Sequence, residues 1–161
     1  MEDILRSLGH LCLGSRLKRL GEQLQADTQR LLDGLETRVL SSQYPLLAAL
    51  DRLGPLPVGE LAQSLGVSQP GVTRSVSLLG DLGLVEVTPS QDDQRRRLVS
   101  LTGSGHRLVD AASRDVWPRI ENAVAELCSG LSGPLLGQLA AIEDRLAQAP
   151  LDRLVEKGAV Q

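Results

Sequence analysis

A mostly helical fold carrying one small β-hairpin is what this 161-residue chain predicts, and three observations predict it. Apolar residues recur at helical spacing along most of the sequence. Within residues 57–102 the pattern tightens into two short helical segments that meet at Gly66. Two short β-type runs follow, separated by a polar, arginine-bearing loop, which is the pattern of a hairpin. Helix, tight turn, helix and cationic hairpin, in that order, make a winged helix-turn-helix, here with further helices on both sides.

Each element has its own justification. Leu61, Ala62 and Leu65 form the apolar stripe of the first short helix. Gly66 sits where a helix end wants a residue free to take positive φ, and Ala62, four residues earlier, is small enough to let two helices cross closely. Ser68 is the expected N-cap of the second helix, and Pro70 falls in its first turn, where a missing N–H costs little. Val67 and Val72 have hydrophobic-staple spacing. Val72, Val76, Leu79 and Leu82 share one face, while Gln69, Pro70, Thr73, Arg74 and Ser77 occupy the opposite side. That polar face suits a DNA groove: Gln offers a donor and an acceptor side by side, Thr a hydroxyl and a methyl, and Arg suits guanine or phosphate. Every surface helix has a polar face, so the hairpin decides. Residues 84–87 and 98–101 read as antiparallel strands, and the loop between them carries Arg95, Arg96 and Arg97. A cationic tip behind such a helix reaches phosphates or the minor groove. Asp93, two residues before Arg95, is placed to hold an arginine by a charge-assisted hydrogen bond. The candidate DNA contacts are therefore Ser68, Gln69, Pro70, Thr73, Arg74, Ser77, Asp93, Arg95, Arg96 and Arg97.

The helix pair ELAQSLGVSQPGVTRSV, the strand GLVEV, the Asp93-Gln94-Arg95 wing and the closing LVSLTGSG resemble the MarR family of transcriptional regulators over residues 57–105. The resemblance implies a homodimer that binds pseudo-palindromic operators in double-stranded DNA, usually as a repressor released by a small molecule. It makes Arg95 the minor-groove arginine with Asp93 as its partner, and it turns Gln69, Thr73 and Arg74 towards the major groove. The Gln-Pro-Gly start of the second helix is a local feature that bears on which bases are read.

The flanks suit that dimer. Residues 1–40 and 106–161 are expected to supply dimerisation helices around a DNA-binding region at 41–105. Residues 13–33 form an amphipathic helix with Leu13, Leu17, Leu20, Leu24, Leu31 and Leu32 near one side. A second helix at about 42–53 leads into the reading head. A long helix capped by Thr102 should run to about Leu127, bent or split by Pro118. Gly133-Pro134 opens another helix to about Gln148, and Pro150 starts a short terminal one. Neither end has enough apolar partners to fold alone, so intertwined helices from two chains are expected to bury both. Two recognition helices related by a two-fold axis then enter successive major grooves, and a ligand between helical region and head would favour one spacing.

Composition bounds the rest. The chain is 42% hydrophobic and 23% charged, ordinary for a globular protein. No run approaches the roughly 18 apolar residues of a membrane span, and the polar-interrupted N-terminus is not a signal peptide, so a cytoplasmic protein is expected. The net charge of −3 argues against DNA binding, and residues 41–102 hold five arginines against six acidic residues. The positives, however, sit on the wing and second helix, and dimerisation doubles each patch.

Effector residues are less legible. Tyr44 and Trp117 are the only Tyr and Trp, and there is no Phe; the resemblance puts both regions beside an effector pocket, although plain core packing is the simpler reading of each. Peroxide-sensing members of the resembled family carry a reactive cysteine in the N-terminal helix, which makes Cys12, with Arg16 one turn on to favour its thiolate, and Cys128 candidates for a thiol-switched repressor. His10, Cys12 and His106 lack metal-site spacing, so no metal or cofactor is expected. Gly103-Ser104-Gly105 imitates a dinucleotide turn but lacks its third glycine and βαβ context; no enzyme is expected. A winged helix that binds proteins rather than DNA is the remaining alternative, and it leaves the arginine-rich wing unexplained.

Overall fold

The computed structural model describes residues 1–35, 37–90 and 96–158. They pack as two compact units, Met1–Ile120 and Glu121–Gln161.

The first unit opens with α1 (Ile4–Ser7), capped by Asp3, whose carboxylate accepts the Arg6 N–H. This one-turn helix escaped the periodicity, being too short to show any. Arg19 reaches back from α2 (Leu13–Leu32) and holds Asp3 with both guanidinium nitrogens, at 3.2 and 2.9 Å. Those hydrogen bonds keep the Asp3 carboxyl below the usual carboxylate range. The crossing from α2 to the next helix is organised by two glutamines the sequence did not single out. Gln29 accepts the Ser41 N–H at 2.6 Å, and the buried Gln43 accepts the Leu40 N–H at 2.9 Å. A 3-10 turn at Ser41–Gln43 then leads into α3 (Tyr44–Leu53), with Pro45 in its first turn.

The head follows the expected grammar. Helix α4 (Val58–Leu65) ends at Gly66, which takes the left-handed conformation at φ 64°. Helix α5 (Gln69–Asp81) starts at Ser68, whose hydroxyl accepts the Gly71 N–H. Val72, Val76 and Leu79 are buried; Leu82, expected with them, is the C-cap residue and stays exposed because the helix ends before turning it inward. Val67, the expected staple partner of the buried Val72, is itself exposed.

Strands β1 (Val85–Pro89) and β2 (Arg97–Leu101) pair antiparallel, Val85 opposite Leu101 and Pro89 opposite Arg97. The hairpin is thus longer than expected: Thr88, Pro89 and Arg97 lie in the ladder rather than the loop. Leu56 adds a third, one-residue rung, exchanging two backbone hydrogen bonds with Val99 at 3.1 and 2.9 Å.

Thr102 caps α6 (Gly103–Ala111), accepting from the Gly105 N–H and donating to the Gly83 carbonyl at 2.6 Å. A side chain at Gly105 would collide with the Leu84 carbonyl oxygen. Gly105, one of the two glycines that imitate a nucleotide turn, is therefore a packing device that lets α6 start against the base of the wing. The expected break at Pro118 takes the form of a π-turn at Ala112–Val116, ahead of α7 (Trp117–Leu127). A proline clashes with the carbonyl four residues back, and a wide turn at that point gives the ring room. The core of this unit runs from Leu32 and Val39 through Leu47 and Leu50 to Leu61, Leu79, Val99 and Val109.

The second unit holds the end of α7, then α8 (Leu135–Gln148), which follows Pro134, and α9 (Leu151–Gly158), which follows Pro150. Among the described residues no helix is long and apolar enough to cross a membrane.

Candidate nucleic-acid interface

The candidate surface is built on α5. Burying Val72, Val76 and Leu79 fixes the helix rotation, and that rotation leaves Gln69, Pro70, Thr73, Arg74 and Ser77 together on one shallow exposed surface. The Thr73 hydroxyl donates to the Gln69 carbonyl at 3.0 Å, and the side chain is exposed. Ser68 is exposed at the N-cap, where the first backbone N–H groups of a helix favour a phosphate.

The hairpin packs on α5 through β1. Its described ends are closed by the Ser90 N–H, which donates to the Arg96 carbonyl at 2.8 Å. Asp93 and Arg95, the expected wing pair, lie outside the described residues. Arg96 is described, and its guanidinium bonds the Glu60 carboxylate of α4 at 2.6 Å, with both side chains about half exposed. This contact ties the loop end of the hairpin to α4. Nothing in the sequence signalled it, because the partners stand 36 residues apart. Arg97 is exposed on β2. The structure therefore brings the five residues of the α5 face together, and it gives Arg96 a protein partner in place of open solvent.

A second feature lies in the same unit, away from α5. A cavity of about 280 Å³ is lined by Tyr44 and Trp117 together, the two aromatic residues noted in the sequence. Tyr44 is 5% exposed, and its hydroxyl is buried with no hydrogen-bond partner among the described residues. Burial pushes its pKa up to about 12, so the phenol stays protonated at neutral pH. Both cysteines are free and half-buried: Cys12 at the N-cap of α2, and Cys128 just past α7. No metal-binding cluster of His, Cys, Asp and Glu occurs among the described residues.

Comparison with known proteins places this architecture. The family model for the MarR family matches residues 34–96. An uncharacterised HTH-type transcriptional regulator of Mycobacterium leprae is 37% identical over 101 residues, covering 60% of this chain and 71% of the relative. Among solved structures, a mutant MarR from E. coli complexed with operator DNA aligns with a TM-score of 0.70 at 21% identity, over 90% of this chain and 99% of that one. The PcaV transcriptional regulator from Streptomyces coelicolor, in complex with its natural ligand, aligns with a TM-score of 0.65 at 23% identity, over 92% and 99%. At those identities the solved structures establish the shared winged-helix fold, and the sequence relative establishes kinship. The chain belongs to the MarR family of transcriptional regulators.

Proposed function

We propose that this regulator binds a pseudo-palindromic operator as a homodimer and acts as a repressor released by a small molecule. The observation that carries the reading is the outward face of α5, where Gln69, Thr73 and Arg74 share one exposed surface. Helices within residues 1–40 and 106–161 dimerise, and residues 41–105 read DNA. Gln69, Thr73 and Arg74 enter the major groove, Ser68, Pro70 and Ser77 border it, and the wing arginines Arg95, Arg96 and Arg97 reach phosphates or the minor groove, with Asp93 orienting Arg95. Two points from the comparisons support this: a MarR of the same fold was crystallised on operator DNA, and PcaV was crystallised with its natural ligand. Exposed leucines along α2 support the dimer, and the cavity shared by Tyr44 and Trp117 supports an effector. A cytoplasmic location follows from an operator as partner.

A thiol switch at Cys12, with Cys128 as a possible second thiol, is the alternative mode of release; both sulfurs being free and half-buried favours it. The test is a titration onto DNA from upstream of the protein's own gene, with excess unrelated competitor, before and after mild peroxide. Specific binding should survive competitor and weaken steeply with salt. Arg74→Ala and Arg95→Ala should each cost about 1–3 kcal/mol of binding while the dimer stays intact. Release only after oxidation would assign control to Cys12. No specific binding by reduced, dimeric protein would sink the DNA reading in favour of a protein partner.

A further inference from the structure

The outward surface of α5 combines two residues that have no hydrogen-bond donor to offer with three of donor-bearing types. Pro70 and Thr73 stand one turn apart, both exposed, and share that surface with Gln69, Arg74 and Ser77. Pro70 has no N–H, and its ring presents only carbon. Thr73 has spent its donor, because the hydroxyl hydrogen goes to the Gln69 carbonyl at 3.0 Å. A hydroxyl carries one donor, so Thr73 keeps an acceptor and a methyl group for whatever meets it. In a major groove that rules out guanine N7 and O6, adenine N7 and thymine O4, all of which need a donor. What remains is an amino group of adenine or cytosine, or the C5 methyl of thymine. The neighbouring proline decides between them. An amino group set against ring carbon loses hydration without a partner, whereas a methyl leaves water favourably there.

We propose that Thr73 is a thymine reader: its methyl, with the Pro70 ring beside it, packs on the C5 methyl of one thymine in each half-site. The inference rests on the DNA reading above and names a base that the operator must carry. Burial of Val72 and Val76 fixes the rotation of the helix. The hydroxyl bond then selects one rotamer of Thr73, so the methyl is held in place before DNA arrives.

The full-length protein first selects duplexes from a random-sequence pool, and the enriched duplex is remade with each thymine in turn replaced by deoxyuridine. That exchange deletes the C5 methyl alone. Fluorescence anisotropy gives the thymine-over-uracil affinity ratio at every position for the parent, Thr73→Ser and Thr73→Val. Thr73→Ser keeps the hydroxyl and its helix bond and loses the methyl; Thr73→Val does the reverse. At one thymine in each half-site the parent should lose about three- to fourfold, and about tenfold when both half-sites change. The preference should vanish in Thr73→Ser and persist in Thr73→Val, with both thermal midpoints close to the parent's because the position is exposed. The proposal is overturned if no thymine is sensitive or if Thr73→Ser keeps the full preference. It is also overturned if Thr73→Val erases the preference, which would give the reading to the hydroxyl. A pool that yields no enriched duplex sinks the DNA reading and this inference with it. An enriched duplex indifferent to its thymine methyls sinks this inference alone.

Discussion

Glu60 is a carboxylate in an unexpected place, on the first helix of a head proposed to approach a polyanion. Its bond to Arg96 holds a wing cation that phosphates would otherwise attract. The exposed pair gains little for the fold, on the order of 0–1 kcal/mol, so its effect should be seen in binding. Glu60→Gln removes a negative charge from the interface and frees Arg96. Operator affinity should rise about two- to fivefold at low salt, shrinking as ionic strength grows, with the melting temperature nearly unchanged. Fluorescence anisotropy with labelled operator reads this directly. A loss of affinity would mean instead that Glu60 aims Arg96 at the DNA.

Elements of this fold were legible in proportion to how locally they are specified. Gly66, Ser68 and Thr102 each announce a helix boundary through their own backbone or hydroxyl chemistry, and all three stand where the sequence put them. The rung between Leu56 and Val99 left no trace, since a single residue has no period to read. The Glu60–Arg96 pair and the Tyr44 hydroxyl, without a partner among the described residues, were hidden for a related reason: both depend on packing between distant segments. Gly105 is the instructive case, because its residue type was visible and its purpose was not. The approach of α6 to the Leu84 carbonyl explains it. Gly105→Ala should force the helix off the wing base and cost about 1–3 kcal/mol or more, seen as a clear drop in the thermal unfolding midpoint. Ser104→Ala, one residue earlier and exposed, should stay within about 0.5 kcal/mol of the parent.

At the level of the whole molecule the conspicuous fact is apolar surface left in water. Leu13, Leu17, Leu20 and Leu24 repeat along α2 and are each at least 38% exposed. In the second unit Leu127, Leu136 and Leu151 are each at least 65% exposed. Patches of this kind mark association surfaces, and the spacing along α2 is that of a helical seam. Leu17→Glu combined with Leu20→Glu should yield a monomer in analytical ultracentrifugation. It should also weaken operator binding about a hundredfold, since the half-sites are then bound one at a time. A wild-type chain that sediments as a monomer and still binds a whole operator tightly would refute the dimer. A net charge of −3 describes the whole chain and does not decide local affinity, which depends on where the few cations lie.

The wide turn at Ala112–Val116 also keeps a kind of count. Each residue in a helix advances the next by about 100°, so the extra residue held there sets the azimuth of everything that follows. Trp117 and Ile120 line the same cavity as Tyr44, and that offset helps set which residues of α7 do so. Two homologous chains differing by one residue in this turn would therefore swing a different pair of side chains over the same tyrosine. They would inherit different chemical tastes from what looks, in an alignment, like a harmless gap.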